Sequence, residues 1–182
     1  MPFQMHSTPI EGLLVIEPKV FVDERGFFME SFKASDFARF GVTQNFVQDN
    51  HSKSKKGVIR GLHFQRTPHA QGKLVRVTHG CAWDVAVDLR KDSPTFGIWY
   101  AVELSADNHL LFWIPEGFAH GFLALEDETE LLYKSTTEYH QASDAGICWN
   151  DPDIGVQWPD IGVSPILSTK DAALPRLKDC VL

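Results

Sequence analysis

The chain has 182 residues, 43% of them hydrophobic and 12% aromatic, and a formal charge of −7. That length and apolar content suit one folded domain over residues 1–182 and exclude a disordered chain. The acidic balance argues against a nucleic-acid backbone as partner, so an anionic ligand must meet a local cluster of cations. Cys81, Cys148 and Cys180 are odd in number and widely spaced, with no CxxC, which speaks against a disulfide framework or a zinc ribbon. No stretch approaches the roughly 20 apolar residues of a membrane span. The first residues, "MPFQMHSTPIEGLLVIEP", lack the basic start and apolar run of a secretory signal. Such a chain is expected in the reducing cytoplasm, away from membranes.

In chain order, "LLVIE" and "KVFVD" are short, β-branched runs, followed by "GFFMESF". The run "LLVIEPKVFV" predicts a hydrophobic N-terminal edge strand that needs covering, and hence a homodimer in which N-terminal strands cross to the partner. "ASDFARFG" is the one convincing helix, with Ser35 expected as its N-cap and Gly41 as its stop. Strand signals then dominate: "GVIRGLHF", "KLVRVTHG", "AWDVAVDL", "GIWYAVELS", "HLLFWIP", "GFLALE" and "ELLYKSTT", most of them bounded by Gly, Pro, Asp or Asn. In "WDVAVDL" the alternation sets Trp83, Val85, Val87 and Leu89 on one face and Asp84, Ala86 and Asp88 on the other. Many short strands and few helices predict an all-β sandwich or barrel. The Pro- and Asp-rich segment from about Ile154 is expected to wrap its outside.

The stretch "GVIRGLHFQRTPHAQGKLVRV" sets Arg60, His63, Gln65, Arg66, His69, Gln71 and Lys73 among strand residues. On a regular strand His63 shares its face with Ile59, Gly61 and Gln65, and Arg60 points the other way. For both to serve one ligand the strand must bulge, and Gly61 is the natural place. Three roles are open to His63: metal ligand, acid–base catalyst, or satisfied core histidine. "GVIRGLHFQ" and "IPEGFAHGF" are similar to the two motifs of the cupins, yet Gln65 stands where a metal-binding cupin has its second His, and no Glu follows before Gly80. His63 and His120 alone are too few for a metal site, so no metal is expected. His titrates near neutral pH and suits proton transfer. Taken singly, Tyr133 reads as a core aromatic, Asp171 as a turn or cap residue, Lys73 and Arg25 as surface charges, and Gln48 and Asn50 as turn formers.

Eight segments taken together resemble the dTDP-4-dehydrorhamnose 3,5-epimerases, cupin-fold enzymes acting on a nucleotide-linked 4-keto-6-deoxyhexose: "DERGFFMESF", "FVQDNHSKSKKGVIRGLHFQ", "QGKLVRV", "DVAVDLRKDSPTFG", "WIPEGFAHGF", "LLYKSTTEY", "WNDP" and "LSTKDAALPRL". The resemblance covers almost the whole chain. It implies a cupin-type jelly-roll barrel with short peripheral helices, His63 as general base, Asp171 orienting its ring, Tyr133 as general acid and Lys73 beside the 4-keto oxygen. It implies that Arg25, Glu30, Gln48, Asn50, Arg60, His120 and Lys170 bind the dTDP-sugar, with Phe28 and Tyr139 as ring partners. Asp144 stands where the family has a Glu. Crossing N-terminal strands would bring Arg25 and Glu30 to the neighbouring subunit's site. No GxGxxG occurs, in keeping with a reaction that needs no cofactor. The alternatives weighed against this are a mono-epimerase acting at carbon 3 or 5, a 3,4-ketoisomerase of the same fold, a metal-dependent cupin dioxygenase and a silent sugar-nucleotide binding module.

Overall fold

A computed structural model describes residues 2–182 and contains thirteen strands and two short α-helices. In chain order the first elements are β1 (Phe3–Ser7), β2 (Leu14–Pro18), β3 (Val20–Asp23), β4 (Gly26–Met29), α1 (Ala34–Arg39) and β5 (Gln48–Ser54). Then come β6 (Ile59–Gln65), β7 (Lys73–His79), β8 (Cys81–Asp88), β9 (Trp99–Ser105) and β10 (Leu111–Ile114). The last are β11 (Phe118–Ala124), β12 (Thr129–Ser135), β13 (Asp144–Gly146) and α2 (Thr169–Ala172). One sheet runs β1-β2-β10-β7-β12-β5, the other β13-β6-β11-β8-β9, and β3-β4 is a separate hairpin. Strand neighbours are antiparallel throughout.

Alternation along the strands sorts the apolar residues into three layers. Between the sheets lie Val75, Val77, Phe112, Leu131, Ala86, Leu104 and Phe122. The alternate residues of the first sheet, Ile16, Leu74, Leu111 and Trp113, pack outward against Phe37 of α1. On the second sheet, Leu62, Val85, Val87 and Ala119 pack outward against Ile154, Trp158 and Leu177 of the C-terminal segment, which wraps that face as expected. The Trp83–Leu89 face of β8 is therefore its outer face, and Asp84 and Ala86 look into the barrel.

Two sequence expectations change. Helix α1 is capped by Lys33 without a side-chain bond, and Ser35 lies inside its first turn; Gly41, at φ +83°, does follow its end. "LLVIE" is no edge: β1 pairs along its full length, and β10 covers its other side. The second half of the predicted run, "KVFV", is the uncovered part: it forms most of β3, and the β3–β4 hairpin exposes Phe21, Val22, Phe27 and Phe28. Among the described residues no helix is long and apolar enough to cross a membrane.

Candidate active site

The inner faces of several strands turn from apolar to polar at a similar level. On β7, Val77 and Val75 give way to Lys73; on β12, Leu131 gives way to Tyr133 and Ser135; on β11 and β8 the interruptions are His120 and Asp84. Opposite charges and rings meet there. The His120 ring lies 6.4 Å from that of Tyr133, Lys73 Nζ stands 5.7 Å from the Tyr133 ring, and His120 Nε2 is 2.9 Å and 3.0 Å from the Asp84 carboxylate oxygens.

His63 joins this group through β6, directly opposite His120. The β6–β11 register sets Arg60 against Phe122 and His63 against His120, three steps on one strand for two on the other. That is a β-bulge, centred on Gly61 at φ +127°. A Cβ there would meet Gly121 Cα at 2.5 Å and the His120 carbonyl at 2.8 Å, so glycine is required both for the backbone angle and for the close approach. The extra residue lets Arg60 and His63 look the same way, as the sequence required of a shared ligand. Both line a cavity of about 330 Å³ with Ser168, Lys170 and Asp171.

Asp171 reaches His63 from the C-terminal segment. Ser168 caps α2 by accepting the Asp171 N–H at 3.0 Å, and the Asp171 carboxylate, 4% exposed, stands 2.6 Å from His63 Nε2. The carboxylate fixes the Nε2–H tautomer, leaving Nδ1 free to take a proton. Burial pushes the His63 pKa below its ordinary 6.5 despite Asp171. Burial likewise lowers Lys73 to about 8, against the pull of Asp84 and Asp144, and raises both Tyr133 and Asp84.

Around the mouth, Arg60 Nε donates to Ser54 Oγ at 3.1 Å. Gln48 Nε2 donates to Asn50 Oδ1 at 2.8 Å, and Gln48 Oε1 accepts the Tyr139 N–H at 2.8 Å. Tyr139 donates its hydroxyl to Asp144 at 3.1 Å, and Lys170 forms an ion pair with the same carboxylate. The structure does not bring every expected residue here. Arg25 is paired with Asp23 at the hairpin tip, 84% exposed. Phe28 is exposed on the hairpin, and Glu30 follows β4 with a buried carboxylate oxygen that has no hydrogen bond. None of the three lines the cavity beside His63 or bonds a residue around it; Lys73, Tyr133 and His120 do not line that cavity either, but His120 pairs with His63 across β11 and β6, and Asp144 bonds Lys170, which lines it.

Two residues escaped the sequence reading. Asp84 was placed on its face by alternation, but that face turns out to be the inner one, where a carboxylate must have a partner. Ser135 is fully buried, with an unpartnered hydroxyl, across from Lys73 on the neighbouring strand. Asn50 Nδ2, on the strand next to Tyr133, is likewise buried and unpartnered. Unspent donors in such a place are suited to a polar ligand. Each cupin-motif histidine is turned onto a carboxylate, and among the described residues no group of three or more His, Cys, Asp or Glu is arranged to hold a metal ion.

A family-wide sequence profile for dTDP-4-dehydrorhamnose 3,5-epimerase matches residues 7–179. The enzyme of that name from Salmonella typhimurium is 56% identical over 177 residues, 97% of this chain and 96% of its own. The dTDP-6-deoxy-D-glucose-3,5-epimerase of Legionella pneumophila, solved with dTDP-4-keto-L-rhamnose, superposes with a TM-score of 0.94 at 49% identity, covering 97% of this chain and 94% of that one. A 3′-monoepimerase from Streptomyces bikiniensis, solved with dTDP-quinovose, is more distant, with 34% identity and a TM-score of 0.89 over 96% of this chain and 88% of that one. The barrel is the cupin jelly roll of these proteins, and the chain belongs to the dTDP-4-dehydrorhamnose 3,5-epimerase family.

Proposed function

We propose that the protein inverts carbons 3 and 5 of dTDP-4-keto-6-deoxy-D-glucose to give dTDP-4-keto-L-rhamnose. The carrying observation is the pairing of His63, on one sheet, with Asp171 of α2, facing a polar interior that holds Lys73 and Tyr133 on the other sheet. His63 Nδ1 takes the proton α to the ketone, and the C–H electron pair moves through the enolate to oxygen 4. The Lys73 ammonium stabilises that oxyanion, a contribution that grows in a water-poor pocket. Tyr133 delivers a proton to the opposite face of the carbon, and exchange with solvent resets both groups. Both carbons are α to carbon 4, so one base and one acid serve each in turn. Asp171 holds the ring and stabilises its imidazolium.

Arg60 and Lys170 supply the local positive charge that a diphosphate needs on an acidic protein. Gln48, Asn50, His120 and Asp144 supply hydrogen bonds around the sugar and nucleotide, and the Tyr139 ring faces the base. A homodimer accounts for the remaining residues: a partner's hairpin covering its exposed phenylalanines would bring Arg25, Phe28 and Glu30 to this site. Light scattering at micromolar concentration should therefore give twice the chain mass, and a monomer would exclude this arrangement. Three free cysteines agree with a cytoplasmic location.

The decisive assay follows deuterium incorporation by NMR in heavy water. Wild type should label carbons 3 and 5 and invert both. His63→Ala should lose inversion and exchange together, because no proton leaves without the base. Tyr133→Phe should invert far more slowly yet still wash in deuterium, since His63 can return a proton to the original face. Exchange surviving in His63→Ala, or full-rate inversion by Tyr133→Phe, would overturn the roles. Label at carbon 3 alone would make the protein a mono-epimerase, like its more distant structural neighbour.

A further inference from the structure

Gln65 stands two residues beyond His63 on β6, 7% exposed, and takes no part in the proton transfers above. Its side chain is spent on backbone groups. Nε2 donates to the His69 carbonyl at 2.6 Å and to the Glu138 carbonyl at 3.3 Å, and Oε1 accepts the His140 N–H at 2.7 Å. Glu138 and His140 flank Tyr139. One buried amide thus ties the strand that carries the base to both sides of the Tyr139 peptide and to the loop after β6. The backbone of Gln65 also pairs with Asp144, which accepts the Tyr139 hydroxyl.

The two loops are joined at further points. The His69 and His140 rings stack at 3.7 Å and 14°, and Gln71 Nε2 donates to the Thr137 carbonyl at 2.6 Å. The Tyr139 ring itself is mostly in solvent, with the residue 56% exposed. Packing does little to hold it, so its place is set by the hydroxyl bond to Asp144 and by its main chain, which Gln65 and Gln48 hold. An apolar side chain at 65 would leave two carbonyls and one N–H without their partner in a buried spot.

We propose that Gln65 is a positioning residue for the nucleotide end of the substrate: it fixes Tyr139 at the mouth and so governs affinity without touching substrate or moving a proton. This rests on the assignment of Tyr139 as the ring partner of the base. The residue that stands where a metal-binding cupin has its second histidine is here the joint between the catalytic strand and the binding loop.

The test is a double-mutant cycle on the full-length protein, measuring dTDP affinity by calorimetry together with kcat and KM for the 4-keto sugar nucleotide. Tyr139→Ala should weaken dTDP binding about tenfold, the scale of one lost base–aromatic stack. Gln65→Leu should raise Kd and KM about five- to tenfold and change kcat less than about threefold. In the double variant the losses should not multiply, because the group being positioned is already gone. Gln65→Glu keeps an acceptor for the His140 N–H and loses the donor; it should fall between wild type and Gln65→Leu, and it carries the same cycle if Gln65→Leu does not fold. Losses that multiply, or a loss confined to kcat, would overturn the role of Gln65 alone. Unchanged dTDP binding by Tyr139→Ala would instead remove the assignment of Tyr139, and the role of Gln65 with it.

Discussion

The proposed mechanism uses Lys73 and His63 in opposite protonation states, and burial moves both in the same direction. The base must be neutral, and burial holds its pKa below 6.5. The oxyanion partner must be charged, and burial brings it down to about 8. The profile of kcat/KM against pH should therefore fall on the acid side only below pH 6.5 and on the alkaline side near pH 8. Asp84 supports the charge on Lys73. Asp84→Asn removes that support, so the alkaline limb should move to lower pH while the acid limb stays; an alkaline limb that did not move would show that another group sets it. Lys73→Ala should lower kcat about 10²- to 10³-fold with a KM within about threefold of wild type, because the enolate exists only beyond the ground state. An effect on KM alone would make Lys73 a binding contact.

At the scale of the element, the bulge in β6 is what turns a strand into a site. Gly61→Ala places a methyl against the backbone of β11 at a positive φ and should destabilise by about 3 kcal/mol or more in urea titration, with turnover lost in whatever remains folded. The end of β8 is held differently. Asp88 accepts bonds from Arg90, Ser93 and Thr95, which outweigh its burial and keep it ionised down to about pH 2. The stability it provides is complete above its ordinary 3.8 and is lost as pH falls through about 2. Asp88→Ala, which removes the buried carboxylate that Arg90, Ser93 and Thr95 all bond, should cost about 2 kcal/mol at neutral pH. The strands with alternating or continuous apolar runs, such as β7, β8 and β12, were legible in the sequence because each buries an apolar inner face, and β8 packs its outer face as well. Strand β5, "QDNHSKS", was not: its inner face is the polar lining that holds Gln48 and Asn50, and pairing with β12 makes it a strand. Ser35 failed as a cap because any Ser near a helix start carries the same signal, and only the backbone decides which residue precedes the first turn. The bulge could be stated only as a condition, since its proof is a register against β11 and that is a contact between distant parts of the chain.

For the whole molecule, the barrel interior is divided between a packed apolar part and a polar part where core side chains are given up for Lys73, Tyr133, His120 and Asp84. Its strength must then come largely from the two outer layers, α1 on one side and the C-terminal segment on the other. That segment also carries Asp171, so its detachment should remove activity before the barrel unfolds; mild urea should lower turnover ahead of the change in strand circular dichroism, and coincident curves would argue against it. The β3–β4 hairpin has a consequence of its own. It pairs only with itself and carries four exposed apolar residues on a ribbon of two strands, too small a unit to be stable alone in water. If a second copy supplies its cover, folding and catalysis share one association constant, and the purified enzyme should behave differently when dilute: specific activity and melting temperature should both fall as protein concentration drops through the dissociation constant, and adding dTDP should shift that transition to lower concentration, because the nucleotide would bind residues of two chains at once.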